Sequence, residues 1–175
     1  NTEEGNGIIL SKNANISIEN CNIICKKMDK SMFIKTLENN EVNIKNSKFL
    51  NCSYFLKVGE SYSSIQNKVS IDNCDIINCS DNFLLIYGMC KFVNNRIVQD
   101  KDINGKESIE YKNISISNDD EVLEKNLISN NQFEDNRINT KKQSKIHLQI
   151  ENAKVINCVF KNINKKDESS IIEIG

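Results

Sequence analysis

An eleven-residue stretch recurs six times in this 175-residue chain, and that repetition constrains the fold more than any other feature. Its clearest copies run from Val42 to Cys52 and from Val69 to Cys79. The others centre on Asn20 (Ile16 to Lys26), Asn94 (Cys90 to Asp100), Asn130 (Asn126 to Asn136) and Asn152 (Leu148 to Cys158). Two residues before each central Asn stand Ile18, Ile44, Ile71, Phe92, Ile128 and Ile150. One after it come Cys21, Ser47, Cys74, Asn95, Asn131 and Ala153, small to medium side chains. Next comes a polar residue (Asn22, Lys48, Asp75, Arg96, Gln132, Lys154) and then an apolar one (Ile23, Phe49, Ile76, Ile97, Phe133, Val155).

Apolar-polar alternation on both sides of the Asn reads as two short strands. The Asn interrupts the alternation, and Asn tolerates the left-handed backbone region better than other non-glycine residues. Asn20, Asn46, Asn73, Asn94, Asn130 and Asn152 are therefore expected to form one-residue corners. Their amides would bond to one another as an Asn ladder. The central Asn residues lie 26, 27, 21, 36 and 22 residues apart. A closed unit of three short strands needs about twenty or more residues, and longer spacings become loops. The expected fold is all-β: a right-handed parallel β-helix of about six coils.

The repeat resembles the coil of the pectin-lyase-like superfamily of right-handed parallel β-helices, over about residues 7 to 174. That superfamily holds polysaccharide lyases and hydrolases, tailspikes and surface adhesins, so the resemblance speaks to architecture more than to activity. The pectinolytic hydrolases carry an Asp-Asp pair, a His-Gly and an Arg-Ile-Lys. Here Asp119-Asp120 is the sole Asp-Asp pair, Arg137-Ile138 is followed by Asn139, and the single His147 is followed by Leu148. Carboxylates just before the corner (Glu19, Asp72, Glu151) alternate with Lys45, Val93 and Ser129. That pattern reads as a mixed-charge solubilising face.

Residues 1 to 175 read as a single domain, an excerpt of a longer chain, with an irregular insert at 100–125 in which Ile109 to Ser117 supplies a strand. Third-side strands are expected at Gly7–Leu10, Met32–Ile34, Tyr54–Val58, Asn82–Ile86 and Ile171–Ile174. A net charge of -1 and a pI near 6.0 leave no basic stripe for nucleic acid. No apolar run reaches the length of a membrane span. Seven Cys allow two readings. Cys52 and Cys79 occupy the same slot one coil apart, about 4.8 Å, which is within disulfide reach. Alternatively they stack as thiols in the core. Cys21 with Cys25, and Cys74 with Cys79, already have places in the repeat and are not read as zinc pairs. No cofactor is implied.

These readings point to a non-enzymatic structural or adhesive segment, extracellular or at the cell surface. Its exposed end edges would meet other coils or subunits. The alternatives are a polysaccharide lyase or hydrolase, or a carbohydrate-binding module using Tyr54, Tyr62, Tyr87 or Tyr111. Four Asn-x-Ser sequons occur, at Asn15, Asn51, Asn78 and Asn113. In a eukaryotic secretory pathway, Asn113 and then Asn15 are the expected acceptors, with Asn51 and Asn78 closed off by stacking.

Overall fold

The computed structural model describes residues 9–11, 13–25, 33–37, 40–52, 54–59, 67–79, 83–100, 114–117, 126–136, 148–161 and 172–174. The first pass of the chain consists of β1 (Ile9–Ser11), β2 (Asn15–Glu19) and β3 (Asn22–Ile24). The second is β4 (Ile34–Thr36), β5 (Glu41–Lys45) and β6 (Lys48–Leu50), and the third β7 (Leu56–Val58), β8 (Lys68–Asp72) and β9 (Asp75–Ile77). Then come β10 (Leu84–Tyr87), β11 (Met89–Val93) and β12 (Arg96–Gln99), followed by β13 (Ile114–Ser117), β14 (Asn126–Ser129) and β15 (Gln132–Asp135). The last strands are β16 (Leu148–Ile150), β17 (Ala153–Ile156), β18 (Val159–Lys161) and β19 (Ile172–Ile174). Among the described residues there is no helix.

The strands build three parallel sheets. Sheet A holds β1, β4, β7, β10, β13, β16 and β19, sheet B runs from β2 to β17, and sheet C from β3 to β18. Each pass adds one strand to each sheet in turn. Strand length and alternation explain the burial. In β5, Val42 and Ile44 are fully buried while Glu41 and Lys45 face water. The buried faces of the three sheets share one core, to which Ile34 comes from sheet A, Val42 and Ile44 from sheet B, and Phe49 from sheet C. Phe33, Phe55 and Phe83 each precede a sheet A strand and stack on one another, centroids 5.5 Å apart at both steps. Phe49 of sheet C meets Phe55 edge-on at 4.6 Å. Such pairs add about 0.5–1.5 kcal/mol each beyond area burial.

Asn20, Asn46, Asn73, Asn94 and Asn130 all have positive φ, between 49° and 57°, and each joins a sheet B strand to a sheet C strand. The sixth copy is displaced. Pairing of Ser129 with Ile156 puts Asn157, not Asn152, over Asn130. Asn152 instead turns the chain from sheet A into sheet B, between β16 and β17. Both frames place apolar residues at the inward slots. The frame adopted leaves Val159 in the outward slot that is polar in the other copies, and Val159 is 48% exposed. Of the insert, β13 covers Ile114–Ser117 and pairs with β10 and β16 in sheet A, while Ile109–Asn113 lie outside the described residues.

Candidate functional site

Along the corner between sheets B and C runs an open groove of about 380 Å³. Exposed Asn20, Asn46, Asn73 and Asn94 form one lip, and Asn22, Lys48, Asp75 and Arg96 the other, with Cys21, Ser47 and Cys74 along the floor. Each lip is one register column, so the spacing of its groups is the strand spacing, about 4.8 Å. Asn73 Nδ2 donates to Asn46 Oδ1 (2.8 Å), and Asn130 Nδ2 to Asn94 Oδ1 (3.3 Å). Between those pairs the ladder steps sideways, because Asn94 Nδ2 donates to Asp72 Oδ1 at 2.8 Å. Lys48, Asp75 and Arg96 are direct cross-strand neighbours. Opposite charges there stabilise the pairing modestly. The groove thus offers hydrogen-bond donors and acceptors of both kinds at every strand, with charges of both signs.

The floor is where the buried hydrogen bonds run, one residue beyond the corner Asn. Asn95 Oδ1 accepts from Cys74 N (2.9 Å) while its Nδ2 donates to Ile71 O (3.0 Å). Asn131 Oδ1 accepts from Asn95 N (2.8 Å), and its Nδ2 donates to Phe92 O (2.8 Å). Ser47 Oγ likewise accepts from Cys21 N at 3.1 Å. The sequence signal is the doublets Asn94-Asn95 and Asn130-Asn131, whose second members are almost fully buried. A further buried amide column lies where sheet A turns into sheet B. Asn40 Oδ1 accepts from Ala14 N, Asn67 Oδ1 from Asn40 N, and Asn126 Oδ1 from Cys90 N, at 3.1, 3.0 and 2.8 Å. Gly88 passes so close that a Cβ there would lie 2.7 Å from Asn67 O, and its φ is +141°.

Two cysteine expectations need correction. Cys52 is disulfide-bonded to Cys25, with a Cα–Cα separation of 4.9 Å, and not to Cys79. Cys25 sits level with Asn51, one slot short of the Cys column, and reaches Cys52 on the diagonal. Cys79 is a buried free thiol, facing Ile77 O (3.5 Å) and Phe49 O (3.7 Å). Burial pushes its pKa up to about 12 and raises that of Cys90 further. Cys74 is raised mainly by burial, with Asp72 and Asp75 adding to the shift. Cys158 follows Asn152 by six residues, as Cys52 and Cys79 follow Asn46 and Asn73, which in the sequence pattern puts the three in one column; instead it falls in the floor column, level with Asn131 through their neighbours' pairing.

Asp119, Asp120, Arg137, His147, Tyr62, Tyr111 and Asn113 lie outside the described residues. Tyr54 is half-buried in a left-handed conformation, and Tyr87 half-buried at the end of β10. Asn15 is exposed in β2. Asn51 is exposed too, against the expectation of a closed column, because it and Asn78 form a second set of left-handed corners (φ 57° and 52°) after sheet C. Asn78 is half-buried, and its Oδ1 accepts from Asp100 N at 2.8 Å. Side chains of Asn136 and Gln132 donate to Glu134 and hold its carboxyl below the usual value. Among the described residues no three His, Cys, Asp or Glu side chains gather as metal ligands, and no helix is long and apolar enough to cross a membrane. No protein family, curated protein or solved structure matches the chain.

Proposed function

We propose that the chain is a right-handed parallel β-helix serving as a stiff, non-enzymatic structural or adhesive segment of an extracellular or cell-surface assembly, related in architecture to the pectin-lyase-like superfamily. The observation that carries the reading is the strict rotation of successive strands through three in-register parallel sheets. Parallel crossovers are right-handed in nearly all proteins, which sets the hand. Six passes at about 4.8 Å make a body on the order of 30 Å long. Inward side chains of the outermost passes lack cover: Phe160 is 39% exposed, whereas its register partner Phe133 is fully buried. Further coils or another subunit packed on the ends would cover them. The Cys25–Cys52 disulfide fits an oxidising compartment. For adhesion, the corner groove supplies a polar track for a hydroxyl-rich chain.

Two measurements test this. Antibody against the segment should label intact, unpermeabilised cells of the source, and protease shaving should remove the label. Labelling only after permeabilisation refutes the surface reading. Incubation with neutral and acidic polysaccharides should release no shorter products, and any product abolished by Asp119→Asn or Asp120→Asn refutes the non-enzymatic reading.

A further inference from the structure

Cys25, Cys52 and Cys79 occupy neighbouring places along one edge of the core. The first two are bonded across a Cα–Cα distance of 4.9 Å. The second and third hold the same slot in adjacent passes: Phe49 pairs with Ile76 and Leu50 with Ile77, and Asn51 N donates to Ile77 O at 3.0 Å. Neighbouring strands are about 4.8 Å apart, so Cys79 stands as near to Cys52 as a disulfide requires. The sulfurs have equivalent surroundings as well. Cys52 Sγ lies 3.5 Å from Leu50 O and 3.8 Å from Ile23 O, and Cys79 Sγ 3.5 Å from Ile77 O and 3.7 Å from Phe49 O. The three differ in exposure: Cys52 and Cys79 are buried, whereas Cys25 is only half-buried.

We propose that these residues form a thiol–disulfide exchange site in which the Cys25–Cys52 bridge converts to Cys52–Cys79 and releases Cys25 as a thiol. Burial keeps most of Cys79 protonated, so the step runs through its small ionised fraction: that thiolate attacks Cys52 Sγ and the new S–S bond forms. The Cys25–Cys52 bond breaks, its electron pair leaves on Cys25 Sγ, and Cys25 takes up the proton that Cys79 gave. No external oxidant or reductant enters the balance. The exchange transfers a free thiol from the core to a half-exposed position, where small thiol-reactive compounds and disulfides can reach it.

The test is disulfide mapping of the purified oxidised chain, incubated in mildly alkaline buffer, labelled with iodoacetamide, quenched with acid and digested. The Cys52–Cys79 linked peptide should appear with time at a rate independent of protein concentration. Labelling of Cys25 should exceed that in Cys79→Ser by on the order of tenfold. A Cys25–Cys52 link that persists alone, or equal Cys25 labelling with and without Cys79, overturns the proposal. Cys25→Ser alters a half-buried position and gives a second reading that does not depend on Cys79→Ser folding. On air oxidation it should close Cys52–Cys79, and two unlinked thiols there overturn the required proximity.

Discussion

Replacing the second Asn of a corner doublet should harm the protein far more than replacing the first. Asn95 is buried, and its carboxamide bridges two passes by accepting from Cys74 N and donating to Ile71 O. Asn95→Ala strips the acceptor from a buried N–H and the donor from a buried carbonyl. Each orphaned group costs about 1–3 kcal/mol, and the vacated volume adds to that, so the expected loss is about 3–5 kcal/mol. Asn94 is exposed, with φ 57°, and donates to Asp72. Asn94→Ala loses the left-handed preference and two solvated hydrogen bonds, to Asp72 and from Asn130, about 1–2 kcal/mol. Urea unfolding followed by circular dichroism gives both values, and an unchanged m-value shows that stability alone has moved. If Asn94→Ala destabilised as much as Asn95→Ala, the assignment of the buried ladder to the second residue would be wrong.

Gly88→Ala should cost about 2–4 kcal/mol in thermal unfolding, since the backbone at φ +141° is strained for any side chain and the new Cβ meets Asn67 O. Gly59, with φ 77°, should tolerate Ala at about 1–2 kcal/mol, and a Gly88→Ala change milder than that would contradict the close approach. Alkaline conditions should unfold the protein through its buried thiols. Cys79 titrates near 9.0 when unfolded and at about 12 when folded, so between those values the unfolded chain has released a proton that the native chain retains. Stability is intact below the lower value and falls as pH rises through the window, by up to about 1.4 kcal/mol per pH unit per thiol. Urea midpoints across this range should decline less steeply in Cys79→Ser, and identical slopes would rule the thiol out. Secreted from a eukaryotic host, the chain should carry more glycan on exposed Asn51 than on Asn78, whose Oδ1 is engaged by Asp100 N, as site-resolved glycopeptide analysis would report. The reverse ratio would count against the outward placement of Asn51.

The repeat makes much of this legible from sequence. Five corner Asn residues, the alternation around them and the sheet A strand inside the insert follow from period and residue type alone. The sixth corner is misplaced by that reading because Asn152 and Asn157 both fit the apolar slots. The only cue against Asn152 is how the pass before it stacks, which is a long-range property. The buried amides at Asn95, Asn131, Asn40 and Asn67 escape it for a related reason. Local pattern reads a polar residue as outward, yet these side chains are held inside by backbone groups of neighbouring passes. The Cys25–Cys52 bond likewise depends on a diagonal between passes, which a column-by-column reading does not contain.

The link from sheet B to sheet C is two residues long in all six passes, from Asn20-Cys21 to Asn157-Cys158. The other two connections vary widely: Tyr87 to Met89 needs only Gly88, while Val58 to Lys68 spans nine residues. Length change is therefore partitioned by side. Insertions and deletions in the two variable connections leave every register intact. A single added residue in the B-to-C link would swap inward and outward faces of the following strand and expose its core residues. Drift in a lineage of such chains should accumulate on two flanks and spare the third. The third flank would then act as a fixed ruler along which the repeats can be counted and aligned.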